Sequence, residues 1–123
     1  MTAITPEDLI TFRATLRSRR ERSAADLAAL RQRALLAARQ AAEFLKREFG
    51  VTRVMLFGSL AHARWYSDRS DIDLAAWGLG PVEHLEAMAR LEDLNVGFRI
   101  DLLRAEHCTA GLREVIEKEG TPL

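Results

Sequence analysis

Cysteine is nearly absent from this chain of 123 residues. A single Cys108 cannot form an internal disulfide, which excludes a stapled scaffold and fits a reducing cytoplasm. No apolar run approaches the ~20 residues of a membrane-spanning helix. The start, MTAITPEDLI, lacks the basic-then-apolar layout of a secretion signal. Repeats, low-complexity tracts and long linkers are also missing, so one domain is expected. His62, His84 and His107 share no metal-ligand spacing with one another or with Cys108. His84 reads as a surface residue of a helix.

Net charge is zero, but it is unevenly spread. Residues 1–50 carry ten Lys/Arg against six Asp/Glu, and residues 51–123 carry eight against twelve. The basic excess gathers at Arg13, Arg17, Arg19, Arg20 and Arg22. Such a run is either a solvated helix face or a patch for an acidic partner or nucleic acid. No aromatics interleave with it, which argues against single strands held by stacking.

Thr5-Pro6-Glu7-Asp8 reads as a helix start, with Thr as N-cap, Pro at the first turn and acids behind it. That helix is expected to end near Arg20. Ser23-Ala-Ala-Asp26 reads as a second cap, opening a long helix to Phe49 that stops at Gly50. Residues 1–24 would then be an N-terminal helical extension. Strands are expected over 51–57, 71–77 and 98–103, short helical structure over 60–66, and helices over 82–94 and 109–119. The pattern predicts an α/β (α+β) domain: a small mixed β-sheet flanked by helices.

The chemistry concentrates in FGSLAHARWYSDRSDIDL, residues 57–74. Asp71 and Asp73 are two apart on a strand, so both carboxylates face the same way. Acids are poor strand formers, and Ile72, Leu74, Ala75 and Ala76 indicate burial. Adjacent half-buried carboxylates repel unless a cation sits between them. Oxygen donors of this kind suit Mg²⁺. Asp101, in RIDLL, is the third acid: a bridging ligand, or the base that accepts a proton from an attacking hydroxyl. Gly58-Ser59 follows a strand, and its turn offers N–H groups and a hydroxyl to phosphate. Ser70 either adds a hydroxyl to the nucleotide or caps the turn.

With Gly58, Ser59, Asp71, Asp73 and Asp101 in this order, the chain resembles the minimal nucleotidyltransferases of the DNA polymerase β-like superfamily. The resemblance covers about 25–123 and rests on GSLAHARWYSDRSDIDLAAWG, RIDLL and IEKEGTPL. It implies a nucleotidyltransferase domain over 25–123. Gly58, Ser59 and Ser70 would bind the nucleoside triphosphate, with ATP as substrate. Asp71, Asp73 and Asp101 would hold two Mg²⁺ ions, and Asp101 would help deprotonate the acceptor. The family often has Gly at Ala63 and a basic residue at His62. The step from Ser59 to Asp71 is also one residue longer than in many members. These departures bear on turnover rather than on fold.

Small members of the family often pair with a helical HEPN toxin and attach AMP to it. The resemblance therefore implies a HEPN-type protein partner or a homodimer. The alternatives are a non-catalytic antitoxin acting by contact, and transfer to a small molecule such as an aminoglycoside.

Overall fold

The computed structural model describes residues 3–62 and 70–123. Its first element is a single helix, α1 (Pro6–Phe49), 44 residues long. At 1.5 Å per residue it spans about 66 Å. The start is capped as the sequence indicates. The Thr5 side chain accepts from the Asp8 N–H at 3.1 Å, and the Asp8 carboxylate accepts from the Thr5 N–H at 3.0 Å. Gly50 ends the helix in the left-handed region at φ 65°.

The two expected helices are therefore one. Ser23 and Asp26 can cap a helix, but a cap needs the chain to enter from an extended conformation. No Gly or Pro stands between Pro6 and Gly50 to provide the break.

After α1 come β1 (Arg53–Phe57), β2 (Ile72–Trp77), α2 (Pro81–Leu94), β3 (Ile100–Arg104), a 3₁₀ turn at Ala105–His107, α3 (Ala110–Glu119) and β4 (Thr121–Pro122). The expected 60–66 helix lies mostly outside the described residues, which show a turn over Gly58–Ala61. The sheet order is β3-β2-β1-β4. β1 runs antiparallel to β2 and β4, while β2 and β3 are parallel. This is the expected mixed sheet with one strand more.

β4 was unforeseen because Gly120-Thr-Pro reads as a helix stop. The same residues also allow a strand. A Cβ at Gly120 would press on the Ile116 and Leu56 carbonyls and on Met55, so only glycine lets the chain lie against β1. The Leu123 N–H then donates to the Val54 carbonyl at 3.0 Å.

The core forms on the face that alternation predicts. Ile72, Leu74 and Ala76 of β2 pack with Val54 and Leu56 of β1. α1 covers them with Ala34, Ala38, Ala41 and Leu45, and α2 with Ala87 and Leu91. The row of alanines lets the long helix approach the sheet closely. Arg90 of α2 lies over Phe44 and Phe49 of α1, at 5.0 and 5.5 Å, and ties the two helices together.

Among the described residues the opposite face is only partly covered. There α3 sets Ile116 against Met55 and Ala75. Arg53 stacks on Trp77 at 4.5 Å and pairs with Glu117 at 3.1 Å.

His84 is a correction. Its Nε2 lies 2.6 Å from the Leu102 carbonyl, so the ring is part-buried and joins α2 to β3.

Candidate active site

Three segments meet at one end of the less-covered sheet face. β1 stops at Phe57, whose register partner is Asp73 on β2. Asp73 in turn stands opposite Asp101 on β3, in parallel register. Side chains at paired positions share a face, so Asp73 and Asp101 are neighbours. Asp71 lies just before β2, half-exposed. The Ile72 N–H donates to the Arg99 carbonyl at 2.9 Å and starts the β2–β3 ladder there.

Gly58 is required for two reasons. Its φ of 75° is left-handed, and a Cβ on it would overlap Oδ2 of Asp73. The Asp73 carboxylate therefore lies directly on the turn backbone. The His62 N–H closes this turn by donating to the Gly58 carbonyl at 3.3 Å. Ser59 sits in the turn and Ser70 immediately before Asp71, both partly exposed. All six residues singled out from the sequence thus belong to β1–β2–β3 or to the connections at this end.

The electrostatics fit a site poised for a cation. Burial, then repulsion from Asp101 and from Asp71, pushes the Asp73 carboxyl up to about 6. The donors are all carboxylate oxygens, which suit Mg²⁺ better than zinc. Among the described residues no three acidic, histidine or cysteine side chains form a ready-made cage. Asp71 is turned to Arg99, with Oδ2 and Nε 3.9 Å apart. An open, partly assembled set is what Mg²⁺ uses when substrate phosphates complete its shell. The charge of Asp73 and the donor chemistry therefore fit the ion that the resemblance implies.

Beside Asp101 a cleft of about 850 Å³ opens between β3 and α2, with Arg99, Phe98, Leu91, Met88 and Glu92 among its walls. The sequence carried a sign of Arg99, since it alternates onto the side of Asp101 and Leu103. It gave no sign that this arginine would reach Asp71. His62 pairs with Glu119 of α3, its Nε2 3.6 Å from Oε2. Ala63, Trp65 and Tyr66 lie outside the described residues.

Residues 39–123 match the family described as polymerase beta, nucleotidyltransferase. The chain belongs to that family. A solved minimal nucleotidyltransferase is 31% identical over 79% of this chain and 95% of its own, with a TM-score of 0.55. The MntA-HpeT toxin-antitoxin, in a double Asp-to-Glu mutant, matches at 17% identity over 68% of this chain and 69% of its own, TM-score 0.57. A toxin-antitoxin solved with AMP-PNP matches at 20% identity over 68% and 69%, TM-score 0.56. These last two support the fold alone. A comparison with curated proteins gives no match. No described helix is long and apolar enough to cross a membrane.

Proposed function

We propose that this protein is a Mg²⁺-dependent nucleotidyltransferase that moves AMP from ATP to a hydroxyl on a HEPN-type protein partner. The observation that carries this reading is the pairing of Asp73 with Asp101 beside the Gly58 turn. It puts carboxylates and a glycine turn at one end of the sheet. The choice of nucleotide and partner follows the description of two fold neighbours as a toxin-antitoxin, one of them with AMP-PNP.

In this reading Gly58 and Ser59 hold the triphosphate through turn N–H groups and the Ser59 hydroxyl. Ser70 adds a second hydroxyl. Asp71, Asp73 and Asp101 hold Mg²⁺. When bound, Mg²⁺ draws charge from the phosphates and makes the acceptor hydroxyl easier to ionise. Asp101 is the most exposed of the three acids and takes the acceptor proton on a carboxylate oxygen. The acceptor oxygen bonds to the α-phosphorus as the bond from that phosphorus to the bridging oxygen breaks. Pyrophosphate leaves and AMP stays on the acceptor.

The test is the intact mass of the protein encoded beside this one, after incubation with this chain, ATP and Mg²⁺. Gain of one or more AMP units, absent with Asp71→Asn/Asp73→Asn, is the expected result. A stable complex with unchanged mass would favour an antitoxin acting by contact. AMP on an aminoglycoside and none on the protein would make this a small-molecule transferase.

A further inference from the structure

Among the described residues two faces lack cover, and one border of the first is opposite in charge to the borders of the second. The first is the arm, residues 6–29 of α1, which the structure leaves exposed apart from a partly buried Leu16. Leu9, Phe12, Leu16 and Leu27 follow helical spacing and continue the line that Ala34, Ala38, Ala41 and Leu45 bury on the sheet. Phe12 is 60% exposed. Arg13, Arg17 and Arg20 fall along one side of this stripe by the 3.6-residue period. The family match begins at residue 39, beyond the arm.

The second is the outer face of α2. Val82, Leu85 and Ala89 line up at helical spacing, with Val82 73% and Leu85 69% exposed. Glu86 and Asp93 border this stripe on one side and Glu92 on the other. Among the described residues, none of these three acids and none of Arg13, Arg17 and Arg20 belongs to an ion pair.

One face is apolar with a basic border, the other apolar with acidic borders. Each meets what the other lacks. The arm cannot serve its own α2, because α1 runs unbroken from Pro6 to Phe49 without a glycine or an internal proline to turn it back. Antiparallel pairing of arm with arm is disfavoured, since Arg13, Arg17 and Arg20 would meet their own copies along the same border.

We infer that the arm of one copy lies along α2 of a second copy, in a reciprocal two-fold dimer. A two-fold axis makes both exchanges at once, so each protomer gives an arm and receives one. The dimer would also complete the cleft beside Asp101. Ala89 and Glu92 border that cleft and belong to the face the arm would cover, so the second copy's arm becomes a wall of it.

The experiment is sedimentation velocity of the full chain over a concentration series. It compares the wild type with Arg13→Glu/Arg17→Glu/Arg20→Glu, with Glu86→Arg/Glu92→Arg/Asp93→Arg, and with an equimolar mixture of the two. The wild type should dimerise, and more weakly as salt rises. Each variant alone should lose on the order of 100-fold in dimer affinity. The mixture should dimerise again, because an acidic arm then meets a basic α2 and a basic arm meets an acidic α2. All substitutions are on exposed positions, and recovery in the mixture would show that both variants are folded. A wild type that stays monomeric overturns the inference, and places the arm on a different protein or on nucleic acid. An α2 variant that stays dimeric overturns it in favour of arm-to-arm pairing. An arm variant that stays dimeric, or a mixture that fails to recover, overturns it as well.

Discussion

The two halves of α1 have the same backbone and opposite surroundings. From Leu30 onward the helix lays Ala34, Ala37, Ala38, Ala41 and Leu45 on the sheet. Before Leu30 the same face carries Leu9, Phe12 and Leu27 into solvent, with Leu16 only partly buried. The difference teaches that helical structure and helical burial have separate causes. Capping, continuity and propensity make all 44 residues helical. Only tertiary packing decides which turns contribute to the core. The buried half uses small residues, because the sheet must come close. The bare half uses large ones, suited to a surface that will be covered from outside.

The largest effect should come from the body's acidic end. Asp71→Asn/Asp73→Asn should lower AMP transfer by at least roughly 1,000-fold, read as product mass over time. The arm charge-reversal variant should keep Mg²⁺-dependent ATP binding by the aspartates and the Gly58 turn, as calorimetry would register, even though it loses the second copy's wall of the cleft. Equal loss from both sets of changes would erase the division between the halves.

The next contrast is in stability and lies within one helix. Leu45→Ala removes a fully buried side chain and should cost about 3 kcal/mol in urea unfolding. Leu9→Ala, on the same stripe, should change stability by no more than about 0.5 kcal/mol at concentrations where the chain is monomeric. A large cost at Leu9 in a monomer would mean that the arm is packed after all.

Gly58→Ala comes third. It forces a left-handed residue to carry a Cβ against Asp73, so about 2 kcal/mol of stability should go, with nucleotide affinity.

The smallest effect has the opposite sign. The Asp73 carboxyl titrates near 6 when folded against an ordinary 3.8. Between those values the native state holds more protons than the unfolded one, so stability falls as pH rises through that window and stays lower above it. Asp73→Asn should remove the penalty. Without Mg²⁺ it should raise stability at pH 8 by about 1 kcal/mol, after allowing for solvent screening of a half-exposed group. At a pH below both values the gain should vanish. Thermal melts at the two pH values would check it, and equal stability of the two proteins at pH 8 would count against the crowding of these acids.

Much of the fold was legible because its signals are local. Thr5-Pro6, Gly50, the alternation of Ile72, Leu74 and Ala76 against Asp71 and Asp73, and the run after Gly80-Pro81 each mark an element or its end. The break expected at Ser23–Asp26 failed for a local reason too, since nothing there stops propagation. What stayed hidden depends on pairing between distant segments. Thr121–Pro122 became a strand only because β1 has a free edge, and His84 is held only because Leu102 lies opposite. The residues of the candidate site were legible from their order and type. Their proximity was not, because it depends on the register that sets Phe57, Asp73 and Asp101 in a row.

The measurement that tests the central claim most directly is calorimetric titration of a non-hydrolysable ATP analogue into the full chain, with and without Mg²⁺, for wild type and Asp71→Asn/Asp73→Asn. Saturable binding to wild type that requires Mg²⁺ and disappears in the double variant is the predicted result. Equal binding to both proteins, or binding indifferent to Mg²⁺, would contradict the assignment of these carboxylates to a metal–nucleotide site.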